Sequence, residues 1–432
     1  MRGILMIAFH FPPQAGSSGL LRSLKFCCYL PEFGWLPTVL TAHPRAYERL
    51  DTSQAREIPP SVRVVRAFAL DTQRHLSWRG RYFQWSALPD RWAGWCLGGV
   101  LSGLRTIRRN QIQVIWSTFP IATALLIGFL LHRLTGKPWI VDFRDSMTED
   151  NYPRNRLTRR TYRWIERQAV ERAAKLIFTA RSTIEMYRNR YPQLRSENCL
   201  LISNGYDEHD FENLPSILAD RRSQDQRVRL VHMGLLYPEE RDPKPFFQAL
   251  ARLKREGRLS KLDLCIELRA SGFDELYSPM LRDLEIDDLV HLLPALPYRQ
   301  ALRDAAEATG LLLFQAANCD HQIPAKAYEY LRLGKPIFAL TSSTGDTSAL
   351  LRDAGGATIV DLADAETIYR ALPAFLHALK AGSHDLPAQG KVLQYSRRNQ
   401  AESLATCLSD VLSQWEAGER KVSPAEQGHA LF

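Results

Sequence analysis

The residues best suited to chemistry fall in one stretch, Cys319 to Phe338, CDHQIPAKAYEYLRLGKPIF. A polar, proline-containing loop (Asn318 to Pro324) leads into a helical pattern, with Ala327, Tyr328, Leu331 and Leu333 set among charged positions. Gly334 supplies a C-terminal stop, and Pro336 bars continuation into the apolar run Ile337 to Leu340. A loop feeding a helix N-terminus gathers unpaired N–H groups and the positive end of the helix dipole, which favours an anion. One turn inside stands Glu329, an acceptor-only carboxylate of the kind that holds a ribose diol. These features suit a nucleotide-sugar site. They also suit an ordinary loop and amphipathic helix of an α/β domain.

Two further clusters could act on a substrate. Ile4 to Phe9 reads as a buried strand, followed by a small-residue turn (Gly16, Ser17, Ser18, Gly19) and a helical stretch from Leu20 to Leu30. Such a turn lets backbone approach a phosphate closely. It is not GxGxxG and no acid follows at the expected distance, which argues against a dinucleotide cofactor. A tight strand-to-helix connection explains it equally well. The second cluster is DFRD: Asp142, Arg144 and Asp145 follow the strand Trp139 to Asp142, at the end where open α/β sheets place ligands. Two carboxylates around an arginine form either an ion-pair network or a group that orients or deprotonates an acceptor hydroxyl. His10, just after the first strand, is a rival for that role.

The remaining pattern alternates strands with helices in two series. The first has strands at Pro37 to Leu40, Val114 to Ser117 and Leu176 to Thr179, with helices at Trp92 to Ile107, Ile121 to Leu134 and much of Arg154 to Arg190. Residues 43–95 read as irregular. Within them WRGRYFQWSALPDRWAGW interleaves aromatics with Arg79, Arg81 and Arg91, which fits a membrane-interface or acceptor-binding surface as well as a packed insertion. A second series begins at Val228, with strands at Val228 to Gly234, Leu262 to Arg269, Val290 to Leu293 and Leu311 to Gln315, and helices at Pro245 to Arg255 and Arg299 to Glu307. The expected organisation is an N-terminal domain over 1–210, a linker over 211–226, a second domain over 227–394 and a final amphipathic helix over 395–416. The tail 417–432 reads as disordered.

Composition narrows the class. At 432 residues, 45% apolar and 24% charged, the chain suits two packed α/β domains. Seven scattered cysteines form no CxxC or Cys/His cluster, which fits a reducing compartment and argues against structural zinc. The N-terminus reads as a first strand rather than a signal peptide, and the longest apolar run, Ile121 to Leu131, is too short to span a bilayer. Charge is uneven: residues 1–200 carry a net +16 and the remainder −7. A basic half suits an anionic membrane surface or a phosphate-linked acceptor. No aromatic-basic RNA motif or zinc finger points to nucleic acid.

In motif order and spacing the chain resembles the retaining, nucleotide-sugar-dependent glycosyltransferases of family 4. The likeness is carried by the Gly16–Gly19 turn, DFRD, SNGYD (Ser203 to Asp207), HMGLLYPEERDP (His232 to Pro243) and IPAKAYEYLRLGKPI. The resemblance implies the GT-B fold: two Rossmann-like domains facing a cleft, acceptor on the first and donor on the second, with the last helix crossing back. Carried over by position, Glu329 matches the second acid of the family's Glu-x7-Glu motif, which bonds the donor ribose. His321 stands where the first acid belongs, so His321 and Gln322 fall where the sugar is read. Arg241 matches the cation that holds the diphosphate seven residues after Gly234. Leu235 replaces a second arginine, a loss that Lys326 at the helix start can offset. Gly16 and Ser17 would touch the same diphosphate. Catalysis would then rest on Arg241 and Lys326, with Asp142 or Asp145 orienting the acceptor and His10 and Arg144 on the acceptor side, with no cofactor or metal. The expected activity is sugar transfer to a glycan or lipid-linked acceptor in bacterial surface polysaccharide synthesis. The expected location is the cytoplasm, with peripheral contact at the inner face of the plasma membrane. A nucleotide-sugar 2-epimerase of the same architecture, or a silent scaffold, are the rival readings.

Overall fold

The computed structural model describes residues 1–15, 19–79, 81–150, 152–212, 214 and 227–418. The chain forms two compact units, Met1–Ser203 together with the segment from Arg397, and Asn204–Ser396. Most of 211–226, and 419–432, lie outside the described residues.

In the first unit the order is β1 (Arg2–Ile7), α1 (Gly19–Tyr29), β2 (Trp35–Ala42), β3 (Arg63–Ala67), α2 (Thr72–His75), α3 (Trp95–Arg109), β4 (Ile112–Thr118) and α4 (Ala122–Thr135). Then follow β5 (Trp139–Phe143), α5 (Arg156–Arg172), β6 (Lys175–Phe178), α6 (Arg181–Arg190) and β7 (Cys199–Leu201). All strands pair in parallel, in the order β3-β2-β1-β4-β5-β6-β7. Alternate side chains of β1 enter opposite layers. Leu5 and Ile7 pack with Trp95, Leu125 and Ile165, whereas Ile4 and Met6 pack with Leu24, Trp116 and Leu404. A fully buried aliphatic side chain contributes about 1.5–3 kcal/mol, so both faces of the sheet are held apolar.

The second unit contains β8 (Val228–Met233), α7 (Lys244–Arg255), β9 (Leu264–Arg269), α8 (Asp274–Asp283), β10 (Val290–Leu293), α9 (Tyr298–Glu307) and β11 (Gly310–Phe314). It continues through α10 (Ala325–Leu333), β12 (Ile337–Leu340), α11 (Asp346–Ala354), β13 (Ala357–Val360), α12 (Ala365–Ala381) and the single turn α13 (Gln389–Val392). Its sheet is also parallel, ordered β10-β9-β8-β11-β12-β13. Val228 and Leu230 face α7 and α12, while Val231 faces Leu302, Tyr328 and Leu331 on the other side. The final helix, α14 (Arg397–Glu416), rejoins the first unit, where Leu404 and Leu408 share a layer with Leu24 and Ser409 Oγ lies 3.3 Å from Trp35 Nε1.

Both units are therefore Rossmann-like α/β domains. In each, strand order reverses beside the first strand, between β1 and β4 and between β8 and β11, and such switch points open a crevice at the strands' C-terminal ends. The stretch expected to be irregular contains β3, an edge strand whose core reduces to Val64 and Val65 between arginines. That run is too short and too charged to stand out as a strand.

Candidate functional site

At the second unit's switch point, β8 is followed directly by Gly234, held at φ +107. A Cβ there would stand 3.1 Å from Lys326 Nζ and would crowd the amine, and the positive φ favours glycine as well. Lys326 is the second residue of α10, whose start carries no side-chain cap. Lys326 thus belongs to the first turn of the helix, the end at which the helix dipole is positive. The Lys326 amine also lies 3.2 Å from His232 Nε2.

The protonation of His232 follows from its partners. Its Nδ1 lies 2.9 Å from the Leu312 carbonyl oxygen, which only accepts, so Nδ1 carries the hydrogen and Nε2 presents its lone pair to Lys326. The ring is fully buried, and burial, then Lys326, holds it well below the usual histidine range. Desolvation, then the nearby Arg241, lowers Lys326 from its ordinary value to about 7, while Glu329 opposes the shift.

Arg241 comes from the loop between β8 and α7. Its backbone N–H bonds the Tyr237 carbonyl at 2.7 Å, its Nη1 donates to the Leu235 carbonyl at 3.2 Å, and its guanidinium sits 5.6 Å over the Tyr237 ring. That loop is tied to the one after β11, where Ala316 N bonds Glu240 O at 2.7 Å and Asn318 Nδ2 donates to Glu239 O at 3.0 Å. Leu235 is 40% exposed, so it offers a half-open apolar group where a second cation was expected.

The loop before α10 is braced by the buried Gln315, whose Nε2 donates to the carbonyls of Cys319 and Gln322 at 2.7 and 2.8 Å. Next to it, the side chains of His321 and Gln322 lie 3.3 Å apart. One turn beyond Lys326, Glu329 Oε1 accepts from the Tyr298 hydroxyl at 2.8 Å. Tyr298, at the start of α9, carries no signal in the sequence for this role; its 31-residue separation from Glu329 is bridged only by the fold. Gly234, Arg241, Lys326, Glu329, His321 and Gln322 thus come from the ends and loops around β8, β11 and α10 of a single unit.

The first unit separates its candidates. Asp142 is fully buried, and its two oxygens accept from Arg22 Nε and Nη2, each at 2.9 Å, with Thr118 Oγ1 3.1 Å from one of them. Arg22 spends its other hydrogens on the carbonyls of Ile202 and Ser203. Expected to meet an acceptor hydroxyl, Asp142 instead locks α1 to the end of β5 from inside the sheet. Arg144 is likewise inward-facing, donating to the carbonyls of Phe119 and Gly19. Burial lowers its pKa to about 10.

His10 Nδ1 lies 3.3 Å from Arg144 Nη2, and since a guanidinium only donates, the hydrogen of the neutral ring belongs on Nε2. Burial, then Arg144, pushes its pKa down to about 3, so the ring is neutral, accepting from Arg144 through Nδ1 and keeping Nε2–H as its donor. Asp145 alone of the DFRD group is exposed. Gly16 and Ser17 lie outside the described residues. Among the described residues no three His, Cys, Asp or Glu side chains gather to hold a metal ion.

The model of the glycosyl transferase 4-like domain matches residues 22–205. The two-domain fold matches GT-B glycosyltransferase structures over nearly its whole length. Sucrose-phosphate synthase from Thermosynechococcus elongatus is 14% identical, with a TM-score of 0.66 over 96% of this chain and 100% of that one. Anabaena HepE, solved in complex with UDP-glucose, is 13% identical, with a TM-score of 0.61 over 95% and 100%. The α,α-trehalose 6-phosphate synthase of Burkholderia multivorans is 12% identical, with a TM-score of 0.60 over 97% and 98%. No curated protein sequence matches the chain with significance. No described helix is long and apolar enough to cross a membrane.

Proposed function

We propose that this glycosyltransferase-like protein moves a hexosyl group from a nucleoside-diphosphate sugar to a glycan or lipid-linked acceptor in bacterial surface polysaccharide synthesis, with retention at the anomeric carbon. The observation that carries this reading is the placement of Lys326 over Gly234 at the N-terminus of α10, with Arg241 near enough to depress its pKa. The departing group is a nucleoside diphosphate, so the reaction needs preorganised positive charge where negative charge accumulates. Lys326, Arg241 and the α10 N-terminus supply it without a metal, and Glu329, steadied by Tyr298, takes the ribose. His321 and Gln322 read the sugar. In a retaining course the donor phosphate itself takes the acceptor proton. Asp145 and the Nε2–H of His10 then orient the acceptor, while Asp142 and Arg144 hold the strand end and α1 in place. Such an acceptor pool puts the enzyme at the cytoplasmic face of the membrane. HepE bound to UDP-glucose supports a nucleotide-sugar ligand for this fold.

A thermal-shift panel of nucleotide sugars, followed by assay of the stabilising donor for nucleoside diphosphate release with and without acceptor extracts, tests the reading. Stabilisation by one donor and acceptor-dependent release are expected. Conversion of that donor to an isomer without acceptor would replace transfer by epimerisation.

A further inference from the structure

Between α2 and α3, Leu76, Trp78, Tyr82, Phe83 and Trp85 are 41–77% exposed. Large apolar side chains so close in sequence are rarely left in water without a partner. Their display is built, because the base of the loop is fastened. The buried Asp71 accepts from Gln73 N and pairs with Arg91, and Thr72 Oγ1 donates to the Ser86 carbonyl at 2.8 Å. At the tip, Trp78 and Arg81 exchange backbone hydrogen bonds of 2.8 and 3.0 Å, with Arg79 at φ +52 between them. The Arg79 guanidinium lies 5.0 Å over the Trp78 ring, and Phe83 stacks on Trp85 at 5.9 Å. The rings are not a packed insertion.

The surrounding charge indicates what covers them. Residues 72–141 contain nine lysines and arginines and a single acid, Asp90. That acid is occupied by the Thr123 N–H and hydroxyl, each at 2.8 Å. Arg79 and Arg81 are exposed, with no acidic residue between Asp71 and Asp90 in sequence to neutralise them. Aromatic rings beside uncompensated guanidinium groups match the boundary between lipid headgroups and acyl chains.

We infer that the loop from Leu76 to Trp85 seats this unit on an anionic phospholipid surface. Its aromatic rings enter the headgroup region and Arg79 and Arg81 meet lipid phosphates. The inference deepens the reading of a lipid-linked acceptor and takes its purpose from it, but its test needs neither donor nor acceptor.

The full chain is sedimented with vesicles of phosphatidylcholine alone or mixed with phosphatidylglycerol, at low and high salt. Binding to the anionic vesicles is expected, with loss at high salt and a blue shift of tryptophan emission. The Trp78→Ser/Trp85→Ser and Arg79→Glu/Arg81→Glu variants should each bind more than about tenfold more weakly while keeping the wild-type melting temperature and nucleotide affinity. A wild type that stays in the supernatant overturns the proposal and leaves an acidic protein partner as the occupant. Variants that bind vesicles as well as wild type overturn it too. Vesicle binding without any nucleotide binding would instead retain this surface and remove the transfer reading.

Discussion

Lys326 Nζ stands 3.2 Å from the unprotonated Nε2 of His232, whose other nitrogen is committed to the Leu312 carbonyl. A neutral buried histidine thus aims the lysine without competing with it for charge. Desolvation, then Arg241, lowers the Lys326 pKa to about 7, so the amine is close to half-protonated near neutral pH when no ligand is bound.

This pairing makes nucleotide binding pH-dependent, with a definite sign. A diphosphate beside Lys326 favours its charged form, so the complex holds a proton that the unliganded site gives up above pH 7. Affinity for the matching nucleoside diphosphate should be flat below pH 7. Above it, affinity should fall by up to about tenfold per pH unit until the bound-state pKa is reached. Calorimetry in buffers of different ionisation enthalpy should register proton uptake above pH 7. The Lys326→Met variant should lose both the slope and the uptake. A flat profile in the wild type would separate Lys326 from the diphosphate.

Gly234→Ala should damage the site and the strand end together. An L-residue at φ +107 costs about 1–3 kcal/mol, and its Cβ would press on Lys326 Nζ. Denaturant unfolding should show that loss, and nucleotide affinity should fall along with it. Gly257→Ala, also at positive φ but with open space around its Cβ, should lose stability without losing affinity.

For Arg22 and Asp142 the account predicts a stability defect. Arg22→Ala or Asp142→Ala leaves one buried charge without its partner, a change worth about 3–5 kcal/mol. The double variant should cost less than the two singles combined, as a double-mutant cycle of unfolding free energies would measure. Normal stability with abolished turnover for Asp142→Asn would restore Asp142 as a group that meets the acceptor.

Tyr298→Phe removes the hydroxyl that donates to Glu329 while keeping the ring. A lost hydrogen bond to a carboxylate is worth about 1.5–3 kcal/mol when buried and less here, where Tyr298 is 40% exposed. Nucleotide affinity should fall by a few-fold, roughly 2- to 10-fold, with the melting temperature unchanged.

What was legible in the sequence follows a physical division. Strands bounded by strong punctuation emerge at their true limits: Ile337 to Leu340 after Pro336, and Val290 to Leu293 before Pro294. The helix stopped by Gly334 is equally plain, because the left-handed cap at φ +65 needs glycine. Edge strand β3 stayed hidden because its apolar core is only Val64 and Val65 between two arginines, and α11, β13 and α12 passed unassigned between Thr341 and Tyr395. Candidate residues supplied by one motif could be named. Their partners could not: Arg22 lies 120 residues from Asp142, and His232 lies 94 from Lys326. Only strand order brings such pairs together, and side-chain accessibility then separates an enclosed Asp142 from an exposed Asp145.

The central claim is that Arg241 and Glu329 hold the two halves of one nucleoside diphosphate. Isothermal titration of the wild type, Arg241→Ala and Glu329→Ala with UDP and GDP tests it most directly. The account predicts that the wild type binds one of the two nucleotides and that each variant, at unchanged melting temperature, binds it roughly 10- to 100-fold more weakly. Unaltered affinity in both variants would contradict it.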